Sequence, residues 1–173
     1  MKVIDLSMPL YTGMNVFPGD PDVRIDIIHT HEKNGWELRE LNFGTHTGTH
    51  VDAFSHMHKG MVTLDEIPLE RFFGEAQVVE LLKEWPYEIG LFFREEIGTE
   101  YLERILHVKP KFVGGGITEE LERQLLKKGV ITYTNLVNLE KIPPHTTFTF
   151  YGFPLNIQNG DGSPVRAIAI LEN

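Results

Sequence analysis

The sequence contains no cysteine. Disulfides and thiolate ligands are therefore both ruled out, and any metal site must be built from His, Asp, Glu and water. The absence fits a reducing compartment, and a cytoplasmic location is expected. No stretch approaches the run of about 20 apolar residues that a membrane span needs. The opening MKVIDLSMPLY carries Asp5 early and has no apolar core of signal-peptide length. Positive charge is scarce too. Sixteen Lys and Arg against 25 Asp and Glu leave a net charge of −9, and the basic residues are not blocked together. A phosphate backbone would be repelled, which argues against nucleic acid, while the charge is neutral on small substrates because a metal pocket sets its own local potential. Internal repeats, low-complexity segments and a linker are also missing, so residues 1–173 are read as a single domain.

What is present is ordinary in bulk and unusual in one place. Hydrophobic residues make up 41% and charged residues 24%, values typical of a globular chain long enough to bury a core without staples. Four of the eight histidines, however, fall within residues 46–58. His46, His50, Asp52 and His56 are spaced by even numbers, which in an extended chain puts them on one face. A straight strand would still hold His46 about 20 Å from Asp52. The chain must bend, and Gly48 is where it can do so. Two imidazoles and a carboxylate suit Zn²⁺ or a similar divalent ion, and three protein ligands leave a position open for water. On spacing alone, a solvated histidine-rich loop without metal is an equal reading.

Around that stretch the pattern alternates between strand and turn. Strands are expected at residues 2–6, 23–27, 36–39, 77–82, 111–113, 130–134, 147–151 and 165–171. Asn34-Gly35 signals a hairpin. Residues 83–97 read poorly, with a strand conceivable at Leu91-Phe92-Phe93. Two helices are expected. One is capped at Thr99 and runs to about His107. The other opens at Thr118, carries a Leu121, Leu125 and Leu126 stripe, and ends at Gly129. Gly114-Gly115-Gly116 is read as a strand-to-helix turn rather than an anion cradle. His29, His31 and His107 are read as structural or solvated, and Trp36 as a core or edge residue.

The stretch His46-Thr-Gly-Thr-His50-Val-Asp52-Ala-Phe-Ser-His56 resembles the H-x-G-T-H-x-D-x-P-x-H signature of the cyclase family of metal-dependent hydrolases, which includes bacterial kynurenine formamidases and isatin hydrolases. Phe54 replaces the family proline. Val3–Ser7, Pro18-Gly19-Asp20, Thr63–Pro68, Asn135-Leu-Val-Asn-Leu139, Phe153-Pro-Leu155 and Gly160–Ala167 extend the likeness to both ends. The region from residue 83 to 116 is shorter than in typical members. The resemblance implies an α/β fold: one mixed, strand-rich domain of the swivelling β/β/α type with about two helices. It implies His46, His50 and Asp52 as ligands of Zn or Mn, His56 as the catalytic proton-transfer group, a small-molecule substrate, and a homo-oligomer. Two-metal members take further ligands at the positions of Glu122 and Thr134. Glu122 is thus a possible ligand or a solvated helix residue. Thr134 puts a neutral hydroxyl where a carboxylate is expected, so one ion per chain is anticipated. The expected activity is hydrolysis of an amide or cyclic amide C–N bond, as by an arylformamidase. The alternative is a non-catalytic relative that binds metal or a small molecule as a sensor or scaffold.

Overall fold

The structure, a computed structural model, describes residues 1–172. Eleven strands form among them: β1 (Lys2–Asp5), β2 (Arg24–His29), β3 (Leu38–Asn42), β4 (His50–Asp52), β5 (Phe73–Val78), β6 (Gly90–Ile97), β7 (Phe112–Ile117), β8 (Ile131–Thr134), β9 (Thr147–Tyr151), β10 (Gly162–Pro164) and β11 (Ile168–Leu171). The α-helices are α1 (His31–Asn34), α2 (Leu102–Val108) and α3 (Glu119–Lys127). Nine strands make one sheet in the order β1-β11-β9-β5-β6-β7-β8-β4-β10, while β2 and β3 form a separate antiparallel pair. The run β5-β6-β7-β8 is parallel, and both flanks are antiparallel. This is the expected mixed α/β, strand-rich architecture, with α1 and 3-10 turns at Leu64–Glu66, Leu69–Arg71 and Leu139–Lys141 beyond the two helices expected.

Alternation along β6 explains why the sheet has two cores. Phe92 points into one cluster, with Val51, Phe112, Tyr133 and Phe150. Leu91 and Phe93 point into the other, with Ile105 of α2 and Leu121 and Leu125 of α3. A strand apolar on both faces must be covered on both, and β6 is central. The aromatic rings of the first cluster lie 4.8–5.0 Å apart around Phe150 (Phe92, Phe112 and Tyr133). Each fully buried ring contributes roughly 1.5–3 kcal/mol through lost apolar surface.

The α3 helix forms as its sequence requires. The Thr118 hydroxyl accepts from Leu121 N, acidic residues fill the first turn, and Leu121, Leu125 and Leu126 are buried. Several boundaries differ from expectation. The strand expected at 77–82 is β5, displaced toward Phe73, because Gly74 to Gln77 pair with β9. The poorly read region 83–97 contains the longest strand, β6. The final expected strand, 165–171, is shortened to β11 at its start, and residues 159–164, read as a turn, contain the short strand β10, beyond which Val165 donates its N–H to Thr49 O. The first turn of the helix expected at Thr99 is 3-10, with Gly98 rather than Thr99 at its N-cap. The three glycines are not a turn but the body of β7. A β-carbon on Gly115 (φ +93°) would collide with the Phe93 carbonyl, so close approach to β6 selects glycine there.

Asn34-Gly35 does lie within a hairpin, but as the end of the helical turn α1, with Gly35 left-handed at its C-cap. The hairpin stands apart from the main sheet. All of β3 is exposed, as are Ile27, Trp36, Leu38 and Leu41, so Trp36 is no core residue. Its indole N–H donates to His29 Nδ1 at 2.9 Å. No helix among the described residues is long and apolar enough to cross a membrane.

Candidate metal centre

Register brings the site together. In β4, Asp52 pairs with Thr132 on one side and Gly162 on the other, and His50 pairs with Thr134 and Pro164. Residues directly across a ladder share a face. His50, Asp52, Thr132 and Thr134 therefore project from one side of the sheet, opposite the core face taken by Val51 and Tyr133. The α3 helix packs against β8 and adds Glu122. His46 precedes β4 in the turn at Gly48 (φ +63°), and His56 follows in the loop after it. The bend anticipated at Gly48 is where the chain folds back.

One ligand-type atom from each of His46, Asp52 and His56 lies within 4.8 Å of the other two. His46 Nδ1 is 2.7 Å from Asp52 Oδ1, and the same oxygen is 3.6 Å from His50 Nε2. The rings of His46 and His56 stack with centroids 3.8 Å apart. His50 Nδ1 donates to Gly48 O at 2.7 Å, an oxygen that also accepts from Asn135 Nδ2. That bond puts a hydrogen on Nδ1 and turns Nε2 toward Asp52 Oδ1. The other Asp52 oxygen accepts from Thr132 and Thr134. Thr134 Oγ1 is also 3.2 Å from Glu122 Oε1. Glu122 is buried, which removes the solvated reading of that residue.

One participant was not anticipated. Asp161, at the turn before β10, places Oδ2 3.0 Å from His46 Nε2 and 3.6 Å from His56 Nδ1. Its sequence context, Gly160-Asp161-Gly162, reads as a turn. Nothing in that window marks it as a site residue; its place follows from the pairing of Gly162 with Asp52.

The cluster balances its charge with protons. Burial depresses His46, but hydrogen bonds and charge from Asp52 and then Asp161 outweigh it and raise its pKa to about 9. Burial and the facing Asp52 charge raise Glu122 to about 8. Burial pushes Asp52 up, while the His46 hydrogen bond and the two imidazole charges bring it below the usual carboxylate range. His56 is lowered by burial and by the charge of His46. Three carboxylates and three imidazoles, with His50, Asp52 and Glu122 buried and His46, His56 and Asp161 nearer the surface, form an oxygen and nitrogen donor set chemically suited to a divalent ion. The cluster lies on a cavity of about 820 Å³, with Met8, Met14, Phe17, Met57 and Ile117 as apolar wall and Arg123 as the cation on its lining.

A part-buried imidazole–carboxylate cluster opening onto a cavity with an apolar wall is the arrangement of a metal-dependent enzyme of small molecules. A family model described as "Putative cyclase" matches residues 4–105. The chain belongs to the cyclase family of metal-dependent hydrolases. It is 27% identical to the kynurenine formamidase of Salinibacter ruber, covering 97% of each chain, and 24% identical to that of Bacillus cereus over 95% of each. The Salinibacter alignment runs to 207 positions, so at least 34 have no counterpart in these 173 residues. Among solved structures, isatin hydrolase A from Ralstonia solanacearum superposes with a TM-score of 0.82 at 19% identity, covering 99% of this chain and 92% of that one. The Labrenzia aggregata enzyme, bound to benzyl benzoate, gives 0.82 at 22%, covering 99% and 94%. At such identities these likenesses are ones of fold.

Proposed function

We propose that the chain is a hydrolase of aryl amide or cyclic amide C–N bonds, arylformamidase-like, using one Zn²⁺ or Mn²⁺ per chain. The observation that carries this reading is the grouping of His46, Asp52 and His56 within 4.8 Å of one another, with His50 Nε2 3.6 Å from Asp52 Oδ1, on the lining of one cavity. His46, His50 and Asp52 would hold the ion, with Glu122 the fourth candidate. A divalent ion held there would acidify a water and polarise the substrate carbonyl. His56, its side chain 30% exposed, is neutral near pH 7 because its pKa is lowered. It accepts a proton at a ring nitrogen and returns it to the leaving nitrogen. Met8, Met14 and Phe17 supply an apolar wall for an aryl ring.

Thr134 favours a second reading, a relative that binds metal or ligand without turnover. It puts a neutral hydroxyl between Asp52 and Glu122, where the resemblance expects a carboxylate. Elemental analysis of purified protein, followed by a panel of aryl formamides and cyclic amides with Zn²⁺ or Mn²⁺ supplied, separates the two. Turnover by metal-loaded protein supports the hydrolase; bound metal with no turnover on any substrate supports the sensor or scaffold.

The remaining features of the reading are a single domain over residues 1–173, a cytoplasmic location and a homo-oligomer. The continuous nine-stranded sheet, drawn from both ends of the chain, supports one domain. The exposed apolar residues of the β2–β3 hairpin support self-association, which light scattering measures.

A further inference from the structure

We infer that Asp161 is the outer carboxylate of this centre: it accepts a hydrogen bond from His46 Nε2, so that Nδ1 is the ligating atom of His46, and it faces the proton-transfer group His56. The inference rests on the metal-centre reading above. An imidazole that ligates through one nitrogen carries hydrogen on the other and needs an acceptor for it. For His50 that acceptor is the Gly48 carbonyl at Nδ1, which leaves Nε2 as the ligating atom. For His46 the two candidates are Asp52 at Nδ1 and Asp161 at Nε2. Asp52 Oδ1 lies near both His46 Nδ1 and His50 Nε2, while its Oδ2 is engaged by Thr132 and Thr134. It stands among the ligating atoms. Asp161 is on the other side of the ring. The two histidines therefore adopt opposite tautomers, and His46 is held by a carboxylate where His50 is held by a backbone carbonyl.

The position of Asp161 is built rather than incidental. Its carbonyl accepts from Ala53 N at 2.9 Å, tying its backbone to the end of β4. Its Oδ1 accepts from Thr45 Oγ1 at 2.9 Å, which turns Oδ2 toward the imidazoles. The same Oδ2 lies 3.6 Å from His56 Nδ1, so one carboxylate is shared by a ligand and by the proton-transfer group. Asp161 touches neither substrate nor ion in this assignment and acts as a positioning residue.

The test combines NMR and metal titration on the full-length protein. In the Zn²⁺-loaded wild type, long-range ¹H–¹⁵N correlation should show His46 protonated at Nε2 and His50 at Nδ1. His46 protonated at Nδ1 overturns the assignment. By chelator competition, Asp161→Asn should bind Zn²⁺ about 10–100-fold more weakly at unchanged stoichiometry, the usual effect of losing an outer partner. Asp161→Glu should recover part of that loss, and Thr45→Val should show a smaller loss in the same direction while leaving the carboxylate in place. Wild-type affinity in Asp161→Asn overturns the proposal, as does complete loss of the ion from a folded variant, which would make Asp161 a direct ligand. If wild type itself binds no divalent ion, it is the metal-centre reading that fails.

Discussion

Gly162 lies against the imidazole of His46 with no room between them for a β-carbon. Gly162 sits across from Asp52 in the β10–β4 ladder, so its missing side chain leaves the space that His46 occupies on the shared face. The predicted consequence of Gly162→Ala is displacement of His46 away from Asp52. Overpacking of this kind costs about 1–3 kcal/mol, which a chain of this size should survive folded. Metal affinity should fall at least about tenfold, as when a supporting contact to a ligand is lost. Chelator competition on folded variant protein checks this; wild-type affinity would mean that His46 does not need its present seat.

The roles of His50 and His56 separate by substitution. His56→Ala should leave metal content near wild type and lower turnover by roughly 10²–10⁴-fold, the usual general acid–base contribution. His50→Ala should lose metal and turnover together, since its Nε2 is the nitrogen directed at Asp52. Elemental analysis beside steady-state kinetics decides. A metal-free His56→Ala protein would move His56 among the ligands.

Stability of metal-stripped protein should fall as pH rises. Folded His46 keeps its proton to about 9 against an ordinary 6.5, and folded Glu122 to about 8 against 4.5. Between those limits the folded state binds more protons than the unfolded chain, so unfolding becomes easier with pH. The advantage from His46 is fully present below about pH 6.5 and is lost on passing through about 9. Tm of stripped protein should therefore decline across this window. Saturating Zn²⁺ or Mn²⁺ should flatten the decline, because the ion takes the place of the protons, and metal affinity should rise with pH. A stripped protein whose Tm climbs over the same range contradicts this account.

Thr134 should limit the centre to one ion. Its hydroxyl contacts both Asp52 and Glu122, yet brings no charge to offset a second cation. Wild type should retain one ion per chain after dialysis. Thr134→Glu should raise retained metal toward two, while lowering the stability of the stripped protein by crowding a third carboxylate onto Asp52 and Glu122. Stoichiometry by elemental analysis with Tm by calorimetry tests both halves. Two ions in wild type would show that another residue supplies the missing charge.

Local devices follow from short-range sequence. The Thr118 cap and leucine stripe of α3, the alternating strands at both ends, the bend at Gly48, and the histidine–aspartate stretch that carries the family likeness are all written in short windows of chain. Tertiary structure decided what those windows meet. The three glycines of β7 read as a turn because the demand for glycine comes from β6, a neighbour more than a dozen residues away in sequence. Glu122 was ambiguous because helix periodicity says which face it is on, not that β8 lies against that face and buries it. Asp161 could not be found at all from its own surroundings. Its place beside His46 and His56 comes from a ladder that pairs Gly162 with Asp52, 110 residues apart in the chain. Contacts of that range depend on strand order and register, which only the closed sheet specifies.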